Sequence, residues 1–179
     1  NHDIWGWNKS KSHAAGTEAE FGKQLAVQEL GLSGRYHSFT QAGWKFIALD
    51  SSQPEENMAH YTGRIDEEQF AWLEKELKET PVTMPVLIFS HIPILSAAIF
   101  SWTVFGMKCE SSGDWVIPRW LMHIDARRLV TLFGKHPNVR VCLSGHLHLV
   151  DHVEYNGVNY WCNGCVCGAG WQDFPLPFP

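Results

Sequence analysis

Long hydrophobic runs, blocks of basic residues and a second C-x-x-C pair are all missing from these 179 residues, and each absence removes a class of protein. A membrane-spanning helix needs about 20 predominantly apolar residues, whereas the most apolar stretches, 85–89 and 92–104, are short or broken by Pro93, Ser96 and Ser101. No basic cluster is longer than Arg127-Arg128, and 14 Lys and Arg against 19 Asp and Glu give a formal net charge of −5. Such a balance lacks the electrostatic footprint of a nucleic-acid binder. Five cysteines are an odd number, and three of them crowd into 162–167 as Cys162, Cys165 and Cys167. With no second pair to complete a zinc knuckle, these read as small buried thiols in a strand. The chain opens at Asn1 with neither an initiator methionine nor a signal peptide, so its localisation stays open.

What is present is a globular composition. Hydrophobic residues at 45% and aromatics at 13%, nine of them tryptophan, supply enough apolar surface for a core, and the length suits one domain over 1–179. Apolar spacing predicts a helix from Thr17 to Leu30 that stops at Gly31. It predicts a second from Asp66, with Gln69 completing a capping box and Phe70, Leu73 and Leu77 on one face, and a third from Pro118 to Phe133. Strands are expected at 35–40 and 44–49 as a hairpin, at 85–89, at 139–143, and at 152–155 and 158–161 around an Asn156-Gly157 turn. Alternating strands and helices argue for an α/β layered sheet. The proline-rich tail 174–179 suits a surface wrap.

Two of these strands run directly into histidines. Val139-Arg140-Val141-Cys142-Leu143 is followed by Ser144-Gly145-His146-Leu147-His148, and Pro85-Val86-Leu87-Ile88-Phe89 by Ser90-His91-Ile92-Pro93. Pro93 pushes Ile92 toward an extended conformation, so the chain must turn and leave His91 at the carboxyl end of its strand. A lone histidine is usually a satisfied core or surface group. Imidazoles from separate segments converging at strand ends are candidate metal ligands. Asp50, at the end of another strand, is as readily a loop cap as a site residue.

Asn1-His2-Asp3, Phe89-Ser90-His91-Ile92-Pro93 and Ser144-Gly145-His146-Leu147-His148 resemble, in order, the G-N-H-D/E, F/S-H-x-P and G-H-x-H motifs of the calcineurin-like metallophosphoesterases. The resemblance spans essentially the whole chain, including Ala48-Leu49-Asp50-Ser51 and the last hairpin. It implies a layered sandwich of mixed β-sheets flanked by helices and a dinuclear hydrolase of phosphomonoesters or phosphodiesters that uses a metal-bridging hydroxide. It further implies that Asn1, His91 and His146 bind one divalent metal and His148 another. His2 would contact the phosphoryl group and assist the leaving oxygen, with Asp3 orienting it. Nitrogen and oxygen donors without thiolates suit Mn, Fe or Zn, and two such cations neutralise phosphoryl charge and acidify water.

The family's D-x-H and G-D-x-x-D motifs should precede the asparagine, and the sequence shows neither. The resemblance therefore implies an N-terminally incomplete domain without the bridging aspartate, impaired in catalysis, whose exposed sheet edge invites pairing with another chain. A catalytically silent module that binds metal or a partner is the alternative. His146, His148, Asp151 and His152 also come near an H-x-H-x-D-H metal signature, but the spacing is off by one residue. The substrate is expected to be a small phosphate ester whose identity is set by loops such as Leu95 to Gly113.

Overall fold

The computed structural model describes residues 1–55, 60–100 and 108–165. In chain order they form α1 (Lys9–Ser12), α2 (Gln24–Glu29), β1 (His37–Gln41), β2 (Trp44–Leu49), β3 (Ser52–Pro54), β4 (Tyr61–Gly63), α3 (Glu67–Glu79), β5 (Val86–Ser90), a 3-10 turn at Ala98–Phe100, β6 (Lys108–Cys109), β7 (Trp115–Val116), α4 (Ala126–Phe133), β8 (Val139–Ser144), β9 (Asp151–Tyr155) and β10 (Val158–Cys162). The tail 174–179, Cys167 and much of the 95–113 loop lie outside the described residues.

A six-stranded sheet of order β1-β2-β5-β8-β10-β9 carries the molecule. Its four inner strands run parallel and the two outer ones antiparallel, so all four inner strands point their carboxyl ends one way. This mixed sheet with helices packed on it is the α/β fold class read from the sequence.

The core lies on one face of the sheet. Ile47, Leu49, Val86, Ile88, Val139, Cys142, Val158 and Tyr160 project from the strands against Phe70, Leu73 and Leu77 of α3 and Leu129, Leu132 and Phe133 of α4. Each fully buried side chain of this kind contributes roughly 1.5–3 kcal/mol. The opposite face is also apolar. Phe39, Phe46 and Phe89 stack across three strands with centroids 4.9 and 6.2 Å apart, yet Phe39 is 43% and Phe89 38% exposed.

Local signals held where the chain could satisfy itself locally. Asp66 caps α3 by accepting from the Gln69 amide at 2.9 Å. The side chain of Gln69 does not return to the cap, however. Buried completely, it accepts from the Asp50 amide at 2.8 Å and donates to the Asp50 carbonyl at 3.0 Å, closing the end of β2. Two helices are shorter than expected. Gly22, at φ +71, exchanges backbone bonds with Trp5 and delays α2 to Gln24. Within 118–125 the Leu121 amide turns back to Pro118, but Arg119 and Ile124 bond to Gly63 and His123 to Pro93, so α4 begins at Ala126. Cys142 and Cys162 are buried free thiols as expected, but Cys165 lies beyond β10 and is disulfide-bonded.

Candidate functional site

The loops after β5 and β8, neighbouring parallel strands, bring His91 and His146 together. The Gly145 amide donates to the His91 carbonyl at 3.1 Å, and the two rings stand with centroids 5.1 Å apart at 71°. A Cβ on Gly145 would come no closer than 4.0 Å to any neighbour, that neighbour being His91 Nδ1. From the start of the chain Asn1 places its Oδ1 2.8 Å from His91 Nε2. Three groups from three segments thus converge where the parallel strands end, the usual location of sites in open α/β sheets.

His146 is held in a strained conformation. Its φ is +67, and the Leu147 amide donates to the Gly145 carbonyl at 2.7 Å across it, a γ-turn of the rare positive-φ kind. His148 follows at φ +59. Such residues cost about 1–3 kcal/mol each and persist where the surroundings over-determine them. Here the anchor is Leu147, fully buried with Ile99, Leu121 and Cys162.

The ring of His146 has its nitrogens assigned by this anchoring. Nε2 lies 2.8 Å from the Trp120 carbonyl, which can only accept, so Nε2 carries the proton. The lone pair is then on Nδ1, the arrangement by which outer hydrogen bonds select a ligand's tautomer. Tyr61 and Trp120 flank the ring edge to face. Desolvation pushes the Tyr61 hydroxyl up to about 12.

Electrostatically the site favours neutral imidazoles. Desolvation of the ring by its neighbours in the loops, ahead of nearby cationic groups that include His2 and His148, lowers His91 to about 4 although the residue reaches the surface. Burial and then His91 lower His146 to about 3. Neutral rings are what a divalent cation requires.

His2 and Asp3 are exposed in the turn beside Asn1 and line a cavity of about 320 Å³ together with Asn1, His91, Lys23, Arg35 and Asp50. His148 is exposed and acts on the His91–His146 pair through space. Asp50 is neither a loop cap nor a free carboxylate. Its side chain, 8% exposed, pairs with Lys23 at 2.7 Å and Arg35 at 2.9 Å. Asp151 accepts from Ser96 and from the Ala97 and Ala98 amides, and His152 stacks on Trp161. That segment is therefore structural, which removes the support for the H-x-H-x-D-H reading.

The donor set fits one divalent cation. Asn1 Oδ1 and His91 Nε2 are spaced as neighbouring ligands would be, and the His146 ring stands beside that of His91. Among the described residues no group of three His, Cys, Asp or Glu side chains gathers around a common point, so the set depends on the amide of Asn1. Trp120 was not legible as a site residue, because its contribution is a carbonyl.

No family model matches the chain. The 3′,5′-cyclic adenosine monophosphate phosphodiesterase of Escherichia coli is 26% identical over 142 residues, 79% of this chain and 44% of its own. A probable cyclic nucleotide phosphodiesterase of Synechococcus is 29% identical over 133 residues, 74% and 43%. The chain thus spans less than half the length of these curated relatives. Among solved structures, a dimetal phosphatase from Danio rerio superposes with a TM-score of 0.54 at 15% identity, covering 82% of this chain and 55% of that one. The phosphopantetheinyl hydrolase of Mycobacterium tuberculosis superposes with 0.50 at 15% identity, over 99% and 70%.

Proposed function

We propose that this chain serves a metal-dependent phosphoester hydrolase of the calcineurin-like metallophosphoesterase superfamily, with residues 1–179 acting as one domain. Its sequence relatives are phosphodiesterases and its fold neighbours include a dimetal phosphatase, which supports that superfamily and makes a phosphodiester the proposed substrate class. The observation that carries the reading is the convergence of Asn1 Oδ1, His91 Nε2 and the His146 ring at the ends of parallel strands.

Asn1, His91 and His146 would hold one divalent metal, with His148 serving a second. When bound, the metal supplies Lewis acidity, neutralising phosphoryl charge and making water a nucleophile near neutral pH. The residues of the chain provide the remainder. Water attacks phosphorus and gives up a proton to solvent, the bond to the leaving oxygen breaks, and His2 at the rim of the cavity donates the proton that oxygen needs. Asp3 orients His2. Such proton transfer contributes typically about 10²–10⁴-fold. The Lys23–Asp50–Arg35 cluster walls the cavity with two cations on one carboxylate, and Arg35 also pairs with Asp66.

Calorimetric titration of the 179-residue chain with zinc or manganese tests the metal site, and hydrolysis of bis(4-nitrophenyl) phosphate by the protein containing it tests the reaction. Binding lost in His91→Ala and His146→Ala supports the reading. Binding unaffected by both substitutions overturns it.

A further inference from the structure

The peptide on either side of His91 is held by one residue from elsewhere in the chain, His123. Its side chain is fully buried. Ring Nε2 lies 3.0 Å from Ser90 Oγ and ring Nδ1 2.8 Å from Asp125 Oδ1. Its backbone amide donates to the Pro93 carbonyl at 3.0 Å. Ser90 Oγ in turn donates to the Ile92 carbonyl at 2.7 Å, and Asp125 Oδ2 accepts from the Ile65 amide at 3.0 Å. Residues immediately before and two after His91 are therefore tied to the same anchor, and that anchor is tied to the capping end of α4.

Serine, histidine and aspartate in this order have the composition of a nucleophilic triad. The geometry excludes that use. Ser90 is 3% exposed and its hydroxyl proton is directed at Ile92, so no phosphoryl group reaches it.

The hydrogen bonds of His123 instead complete a cage around the turn. Ile92, fully buried, donates its amide to Ser51 Oγ at 3.1 Å, and the His91 carbonyl accepts from Gly145. Only the His91 side chain projects from this cage, toward Asn1 Oδ1.

We propose that His123 is a positioning residue for the metal site: the buried Asp125–His123–Ser90 chain fixes the backbone of 90–93 and so aims His91 at Asn1. This rests on the reading of His91 as a metal ligand. A ligand must be held to within about 0.5 Å to be productive, and an exposed imidazole on a turn has no packing of its own to supply that. Outer hydrogen-bond partners of metal ligands supply it elsewhere, at about 10–100-fold in affinity when removed.

The test separates the two ends of the ring. His123→Gln places an amide nitrogen where Nε2 stood and keeps the Ser90 bond, whereas His123→Asn keeps the Asp125 bond and drops Ser90. In zinc titrations of the 179-residue chain, His123→Asn is expected to raise the Kd about tenfold or more while His123→Gln stays close to wild type. The metal-free unfolding midpoint should fall at least as far in His123→Gln, which loses the bond to a carboxylate, as in His123→Asn, which loses one to a hydroxyl, so zinc affinity and stability rank the two variants differently. Equal zinc affinity in both variants and wild type, or losses that follow the midpoints, overturns the proposal.

A His91→Ala control that binds zinc like wild type would remove the ligand reading instead. Amide exchange in the metal-free chain then still decides the positioning role. Ile92 and Gly145 should exchange about tenfold faster in His123→Asn but not in His123→Gln, and unchanged exchange overturns it. Should His123→Asn fail to fold, Ser90→Ala takes its place; it removes the His123 bond together with the bond from Ser90 Oγ to the Ile92 carbonyl, and the same readings then apply to the Asp125–His123–Ser90 chain as a whole.

Discussion

The side-chain oxygen of Asn1 stands 2.8 Å from Nε2 of His91, across 90 positions of sequence. Both groups present lone pairs or exchangeable protons to one point, and a divalent cation there would replace the hydrogen bond with two coordinate bonds. Truncating His91 to alanine is expected to weaken zinc binding about tenfold or more. Because His91 is exposed, its unfolding free energy in chelator should move by less than about 0.5 kcal/mol. Isothermal titration and urea denaturation read the two quantities separately. A large loss of stability with unchanged binding would refute the assignment.

Strain at His146 predicts the opposite signs for stability and binding. Glycine accepts the φ of +67 that His146 adopts, and left-handed backbone costs a non-glycine residue about 1–2 kcal/mol. Glycine's greater unfolded-state freedom returns about 0.5–1 kcal/mol of that. His146→Gly should therefore unfold at equal or slightly higher urea than wild type while zinc affinity drops. A clear destabilisation would show that the ring's bond to Trp120 matters more to folding than the turn does.

Ile88 and Phe89 are neighbours on one strand and test which face of the sheet is covered. Ile88 is fully buried and Phe89 38% exposed. Ile88→Ala should cost about 2–5 kcal/mol, and Phe89→Ala distinctly less despite the larger side chain. Equal losses in urea titrations would mean that something covers the Phe39–Phe46–Phe89 stack in solution.

The β1–β2 turn offers a stabilising change. Ala42 and Gly43 both have positive φ, +50 and +79, as a two-residue hairpin turn requires, and asparagine is the residue favoured at the first of these positions. Ala42→Asn is expected to raise the unfolding free energy by about 0.5–1 kcal/mol, measured by thermal and urea melts, without altering zinc affinity. Ala42 lies remote in the fold from the Asn1–His91 pair, so a change in binding would contradict the placement of the site.

Much of the architecture was readable because its causes are local. Asp66 finds Gln69 three residues on, Asn156-Gly157 turns a hairpin by backbone preference alone, and Val86 to Phe89 announces a strand by composition. The motifs that place His91 and His146 were readable for a related reason, since each lies directly after a strand, whereas Asn1 sits in a turn ahead of the first strand. What failed were segments whose backbone bonds leave the segment. Residues 118–125 have helical spacing, but Gly63 and Pro93 partner Arg119, His123 and Ile124, and Gln69 turns from its own cap to the Asp50 amide and carbonyl.

The sequence by itself determined the sheet's strands, the loops that follow them and the chemical kinds of donor those loops carry. The tertiary structure decided how the donors are prepared. Nδ1 of His146 is the free nitrogen because Trp120, 26 residues away, presents a carbonyl to Nε2, and His91 is aimed because His123 holds both its flanks. Neither contact leaves a local pattern, since a hydrogen bond to a buried carbonyl or hydroxyl exists only once the intervening chain has folded and shut out the water that would otherwise satisfy it.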